Sequence, residues 1–521
     1  MKRFLVLLLV GLLILTSCLP WKAGGRKEIP VIKSPEPLCA NTGELDFTIL
    51  DEVREIIRDK SIHKEAAADT KLLLNGAFDS FFASISVPQS EIPQWARDMV
   101  DEELKKGENA RLSILGGIQQ RLGFQDKNFL IKNSISGILK ALGDNFGAYH
   151  TPLAWKADKG DLSGRYQGIG VQLKKSDSRE IVIDDVFTGS PAKKAGILAG
   201  DAILEIDNKY LTPECSIEDV RFKILIRDDP MITMKIRRAG EERLFKFKTS
   251  EVIIKHVISS PVIDFPEDRG SSGDGYPYSQ HPFKDRDGKP AKDILYVKIR
   301  EFTNQSFVDL GFVLLALNPN KFEGIIIDLR GNPGGITSSV AISAGFFLEN
   351  GFVFLGEGRD YSIRHYLTKE NIYFENSDGK LLTIRRLGMV PQKIPITVLT
   401  GADDKDKDAK NSYSAAEIFA AALRDNNRAV IVSREERTGG KGTFNQNFPL
   451  KNGEYGALYL SIGFWKTPNG ESIQGIGLKP DIKVDWSEAD FERNKKDRDY
   501  DPTLFAAIDY LKIQSQMGVA K

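Results

Sequence analysis

The sequence predicts a multidomain α/β (α+β) protein, with a helical N-terminal part, a β-rich middle module and an α/β sandwich behind it. Three observations carry this. A chain of 521 residues is too long for one hydrophobic core and suggests about three domains. Residues 44–160 repeat apolar positions three and four apart, the period of amphipathic helices. From Ile294 to Asp485, short β-branched runs alternate with helical stretches, the pattern of buried strands joined by helices.

The first seventeen residues stand outside the fold. Lys2 and Arg3 precede an apolar run, Phe4 to Leu15, which is too short to span a bilayer and reads as a secretory signal. Leu15-Thr16-Ser17-Cys18 resembles the lipobox of bacterial lipoproteins. That resemblance implies cleavage before Cys18 and lipidation of this cysteine, which anchors the chain to a membrane without spanning it. The alternative is a free cysteine at the end of an ordinary signal. Leu19 and Pro20 contain no aspartate retention signal, which favours the outer membrane, facing the periplasm. Residues 18–43, punctuated by proline and glycine, read as a tether.

Composition excludes several functions. Lys plus Arg equals Asp plus Glu at 72 each, so nucleic acid is not an expected partner. The five histidines form no HExxH and no cysteine-rich cluster, so neither a metal nor another cofactor is expected. Cys39 and Cys215 could pair in an oxidising compartment, but two distant cysteines make no framework.

Within residues 44–160 the periodic segments are Phe47 to Arg58, Pro93 to Lys106 and Phe129 to Leu142, which suit a packing or gating domain. Ser61 to Lys64 spells S-x-x-K, but without companion motifs it reads as chance. Residues 163–252 change to strands. Gly168-Ile169-Gly170-Val171 opens one, and Gly189-Ser190-Pro191-Ala192 precedes a short helix and Gly200-Asp201-Ala202-Ile203. This pattern resembles a PDZ domain. The resemblance implies that the Gly168–Val171 loop captures a peptide's C-terminal carboxylate while the peptide adds as a strand. A PDZ-like fold used only for packing is the alternative. Residues 253–293 are a linker, in which Asp264 to Lys292 lacks periodicity and reads as a mobile surface insertion.

The chemistry concentrates after Asn411. Ser414 stands where a loop becomes an Ala-rich helix, among N–H groups that favour negative charge. Lys441 follows twenty-seven residues later between glycines. A serine needs a base, and a lysine freed of its charge by burial can be one. Equally, Ser414 and Glu417 spell a capping box, and Lys441 could be a surface turn residue. Arg330 to Gly335, RGNPGG, follows a buried strand. No GK[ST] follows it, so its glycines suit exposed N–H donors better than a phosphate.

DLRGNPGG, SYSAAEIFAAALRD, RTGGKG and the Phe464–Asp481 stretch occur in the order of the C-terminal processing peptidases, or tail-specific proteases, with a PDZ domain ahead. The chain resembles that family over residues 129–486. The resemblance implies a ClpP/crotonase-like core at 294–486, a C-terminal helical segment at 487–521, and a PDZ domain that gates the proteolytic site. It implies Ser414 as nucleophile and Lys441 as general base, with Asp425 matching a family aspartate whose other reading is a helix-end residue. It further implies an oxyanion hole from the N–H of Gly334 or Gly335 with that of Ala415. Asn445 stands where the family has a glutamine to orient the amine. Substrates would be proteins with free apolar C-termini, and a homo-oligomer is compatible with the family. The competing class is a non-catalytic lipoprotein that binds tails, favoured by Asn445 and by the charged insertion Asp403 to Lys410.

Overall fold

The computed structural model describes residues 45–519, apart from 125, 153–154, 156–164, 177, 188, 213–214, 216, 226, 254–255, 261–282, 387–389, 403–410 and 498. The expected signal and tether, with Cys18 and Cys39, and the Asp403–Lys410 insertion lie outside the described residues. Cys215 is buried and disulfide-bonded.

The helical part forms where the periodicity placed it, with helices at Ile49–Lys60, Lys64–Ala68, Thr70–Ser84, Gln94–Leu104, Ile114–Leu122 and Lys127–Leu142. Asp69 and Asp126 cap two of them by accepting the N–H of Leu72 and Phe129, each at 2.9 Å. Those two helices cross on glycine. A Cβ on Gly137 would lie 2.1 Å from the Gly76 carbonyl, so a side chain there would force them apart. S-x-x-K is a turn: Ser61 Oγ accepts the His63 N–H at 3.1 Å, and Lys64 points to solvent.

This part does not close its own core. Leu458 and Leu460 of strand Ala457–Lys466, with Leu450 from the turn before it, complete it. Strand Ala148–His150 pairs antiparallel with Ala457–Tyr459. The connection Asp144–Gly147 is thereby drawn against that sheet.

In the middle module, strands Val171–Lys175, Ile181–Val186, Ala202–Ile206, Met231–Arg238 and Glu241–Lys248 form an antiparallel sheet in that order. Helices Pro191–Ala195 and Ile217–Leu225 cover it, and Ile183, Ile203, Met234 and Val220 fill its core. The GD step serves the fold: Asp201 is buried and forms a bidentate pair with Arg238, both bonds 2.6 Å.

The remaining part is layered as the alternation implied. Strands Ile294–Ile299, Gly324–Asp328, Ile396–Thr400, Val430–Ser433 and Ile482–Lys483 run parallel in that order, with Val257–Ser260 antiparallel at one edge. Helices Ser306–Leu317, Thr337–Ala344 and Ala415–Asp425 cover one face. Helix Pro502–Val519 covers the other through Leu504, Ile508 and Leu511. An antiparallel sheet led by Ala457–Lys466 and Gly351–Gly358 packs over the three helices.

One segment departs from the sequence reading. Of Asp264 to Lys292, expected to be mobile, residues 264–282 lie outside the described residues and residues 283–292 are docked: Phe283 is buried against Tyr296, and Lys512 binds Asp285 at 2.6 Å. The aromatic anchor outweighs the polar composition. The C-terminal segment reaches into the core. Arg330 binds Asp328 and Asp501 at 2.7 Å each, all three buried, while Lys298 Nζ donates to the Arg330 carbonyl at 3.1 Å. These charges hold the Asp328 carboxyl far below its usual range, although burial alone pushes it up. Asp501→Ala leaves Arg330 half-paired in the interior. The expected loss is about 3–5 kcal/mol of stability, measurable as a lower urea midpoint.

Candidate active site

The helix Ala415–Asp425 is rich in alanine because it lies between two sheets. Every residue from Ala415 to Leu423 is buried, and small side chains let both layers approach. Phe419 fills the remaining space against Phe302 and Phe347.

The approach to this helix is tied to the C-terminal ends of the parallel strands. Ser412 Oγ donates to the Leu329 carbonyl at 2.8 Å, and the Tyr413 N–H donates to the Asn332 carbonyl at 3.0 Å. Ser414 is left at φ 54°, ψ −116°. An ordinary N-cap residue has an extended backbone, whereas positive φ costs a non-glycine residue about 1–3 kcal/mol. The capping box is present, and Glu417 Oε2 accepts the Ser414 N–H at 2.8 Å. A serine that only capped the helix would have no need of this strain.

The RGNPGG turn lies against Ser414. A Cβ on Gly334 (φ 116°) would come within 2.8 Å of the Ser414 Cβ, and one on Gly335 (φ 130°) within 2.1 Å of the Phe302 carbonyl. Only glycine fits either place. The Gly334 N–H is occupied, donating to Asn332 Oδ1 at 2.8 Å, which removes it as an oxyanion donor in this arrangement. The N–H groups of Gly335 and Ala415 meet no acceptor among the described residues.

Lys441 is pinned through its backbone. Its N–H donates to Glu417 Oε2 at 2.9 Å, and its carbonyl accepts from Trp465 Nε1 at 3.0 Å. The flanking glycines leave room for neighbouring chain more than for the amine. Gly439 lies beneath the Tyr413 ring, and Gly442 lies against Gln474, whose Oε1 accepts its N–H at 2.8 Å. The amine itself sits 5.1 Å from the centre of the Phe146 ring and 5.8 Å from that of Tyr459. Burial pushes its pKa down, which favours the neutral form, against the charges of Asp144 and Glu417 that pull it up. No hydrogen bond joins the serine hydroxyl to the amine here; such bonds are often long before substrate is bound.

Two expected residues act elsewhere. Asn445 does not reach the amine: its Nδ2 donates to the Phe146 carbonyl at 3.2 Å and to Ser461 Oγ at 2.9 Å, so it steadies the ring beside the lysine. The shorter side chain fits this network. Asp425 ends the helix eleven residues from Ser414, about 16 Å along the axis at 1.5 Å per residue. There it pairs with Arg424 and accepts the Asn469 N–H at 3.1 Å, a fold contact and not part of the dyad.

Sequence reasoning missed three residues. Glu417 was visible only as a cap. Phe146, in Asp144-Asn145-Phe146, follows the last periodic helix with no motif of its own. Asp144 accepts from Ser461 Oγ at 2.7 Å and from the Ser461 and Phe146 N–H groups at 2.8 and 3.1 Å. Phe146 and Asp144 are placed by contacts some three hundred residues apart, and Glu417 by contacts more than twenty residues on, which no local pattern signals.

In the middle module, Gly170 has φ 72°, and a Cβ there would lie 2.4 Å from the Ser190 Cβ. Ile169 is buried, and its carbonyl accepts the Ala192 N–H at 3.0 Å. The loop Gly168–Val171 leads into Val171–Lys175, the end strand of its sheet, with helix Ile217–Leu225 packed beside it. An end strand flanked by a helix can accept an added peptide strand.

The sequence profile of peptidase family S41 matches residues 293–484, and that of the PDZ domain matches residues 182–238. The "Carboxy-terminal-processing protease" of Bartonella bacilliformis is 29% identical over 384 residues, 72% of this chain and 75% of that one. The "Carboxy-terminal processing protease CtpB" of Bacillus subtilis is 26% identical over 363 residues, 69% of this chain and 64% of that one. Among solved structures, "Photosystem II D1 C-terminal processing protease" matches 85% of this chain and 94% of its own at 18% identity, with a TM-score of 0.41. Residues 293–484 thus match peptidase family S41 behind a PDZ domain, and the curated relatives that the chain resembles are named as carboxy-terminal processing proteases.

Proposed function

We propose that the protein is a Ser–Lys endopeptidase that cleaves proteins presented by their C-terminal tails, with Ser414 as nucleophile and Lys441 as base. The observation that carries this is the strained Ser414 at a helix N-terminus, held through one carboxylate to a lysine whose amine is buried. Neutral Lys441 takes the hydroxyl proton as Ser414 Oγ bonds to the scissile carbonyl carbon. The oxyanion is held by the N–H groups of Gly335 and Ala415. The C–N bond then breaks, and the lysine returns its proton to the leaving amine. Water, deprotonated by Lys441, releases the acid and restores the serine.

The tail enters beside Gly168–Val171, its carboxylate on loop N–H groups and its chain along Val171–Lys175. An apolar C-terminus suits this groove. We place the protein in the cell envelope, lipid-anchored at Cys18 to the outer membrane and facing the periplasm, on its signal and lipobox alone. No helix among the described residues is long and apolar enough to cross a membrane.

The test is cleavage, by the full chain in detergent, of an unstructured polypeptide ending in Val-Ala-Ala or in Asp-Lys-Glu. The apolar tail should be cut faster. Gly170→Ala, which closes the loop on Ser190, should lower kcat/KM for the apolar tail about tenfold or more, since a left-handed non-glycine residue costs roughly 1–2 kcal/mol before the steric clash is counted. Equal rates on both tails would contradict tail recognition. The non-catalytic alternative predicts tail binding without cleavage.

A further inference from the structure

We infer that Glu417 is a positioning residue that sets the distance and alignment between nucleophile and base. This rests on the Ser–Lys reading above and deepens it.

Glu417 is fully buried on the first turn of the serine helix. Its two oxygens serve two different segments. Oε2 accepts the backbone N–H of Ser414 and that of Lys441, at 2.8 and 2.9 Å. Oε1 accepts the Gly440 N–H at 2.8 Å and the Thr438 hydroxyl. A capping glutamate needs only the first of these bonds. The other three reach the chain that carries the lysine, more than twenty residues away.

This one carboxylate is therefore a direct bridge between the two halves of the dyad, whose reactive atoms share no hydrogen bond. The Ser414 backbone is strained, so it needs an outside partner to hold it. The lysine loop carries three glycines and has few side chains of its own to fix it. Four donors converging on two oxygens suit a carboxylate and no other side chain. Glutamine offers one acceptor oxygen and an amide that would face donors.

The carboxylate also has an electrostatic effect. The charged groups that face the Lys441 amine are Asp144, from the connection after the N-terminal helices, and Glu417. Both favour the ammonium, and burial opposes them. Removing the Glu417 charge while leaving Asp144 in place should lower the lysine pKa. The limb of the pH–rate profile on which Lys441 loses its proton then moves to lower pH, while the plateau falls because the geometry is lost. A residue that merely stabilised the helix would lower the amount of folded enzyme and leave the limb in place.

The experiment uses the full chain in detergent and two readouts from pH 6 to 10. One is the rate of labelling by a fluorophosphonate probe, which needs the dyad but no tail. The other is kcat and KM on the unstructured substrate ending in Val-Ala-Ala. For Glu417→Gln the expected result is a plateau labelling rate and kcat about a hundredfold below the parent, as small misplacements of reacting groups produce. KM should stay within about threefold, and the limb should move to lower pH. Thr438→Val removes one donor and keeps the charge; it should slow labelling several-fold with the limb unmoved, and it serves if Glu417→Gln does not fold. Labelling of either variant at the parent's rate overturns the assignment, as does slow labelling by Glu417→Gln with the limb in place. A parent that neither labels nor cleaves overturns the underlying Ser–Lys reading instead.

Discussion

Ser414→Ala should abolish cleavage, at least about a 10³-fold loss in kcat, with the fold and tail binding intact. The variant removes one oxygen atom, while Glu417 still accepts the backbone N–H of residue 414, so helix Ala415–Asp425 stays in place. Alanine is disfavoured at φ 54° as serine is, so the strain is unchanged. Lys441→Ala should lose as much, because neither partner works alone, and the double variant should be no worse than either single one. The parent's kcat/KM should rise as pH rises through the lysine pKa. Ordinary lysine titrates near ~10.4, and burial brings Lys441 below that, so the rise falls at lower pH than for an exposed lysine. Acidification reprotonates the amine and extinguishes the activity. Steady-state kinetics over a pH series checks all of this.

Gly335→Ala should produce the next largest loss, about 10²–10³-fold in kcat, the usual cost of one oxyanion donor. The added methyl would lie 2.1 Å from the Phe302 carbonyl at φ 130°. Phe302 itself bridges this turn, donating to the Gly334 carbonyl at 2.8 Å and accepting the Ile336 N–H at 2.7 Å. The turn must move, and the Gly335 N–H moves with it. Gly379→Ala is the matched control: φ is 73° there, nothing lies within 4 Å of the new methyl, and the turn is remote from Ser414 in sequence. That variant should keep kcat within about twofold. Loss in the first and retention in the second separates oxyanion geometry from general glycine strain.

What could be read from the sequence was local. Ser414 announces itself as a small polar residue opening an alanine helix, Lys441 by its glycines, and the parallel sheet by apolar runs between helices. The strained backbone of Ser414 was not legible, because it arises from anchors at Leu329 and Asn332 far back in the chain. Asn445 and Asp425 show the limit of matching positions. Each lies where expected in sequence, but the side chain of one turns to Ser461 and Phe146, and the other is three turns away from the serine. Glu417 shows the converse. Its spacing from Ser414 fully explained it as a cap, so nothing local hinted at the bonds to Gly440 and Lys441. The docked residues 283–292 were hidden by a polar composition whose single phenylalanine finds a place beside Tyr296.

The central claim is that Ser414 is the nucleophile and Lys441 its base. The most direct measurement is intact-mass and peptide mapping of the full chain after reaction with a fluorophosphonate. The expected result is one adduct, on the peptide containing Ser414, absent from Ser414→Ala and strongly slowed in Lys441→Ala. An adduct on another serine, or cleavage that persists in Ser414→Ala, would contradict it.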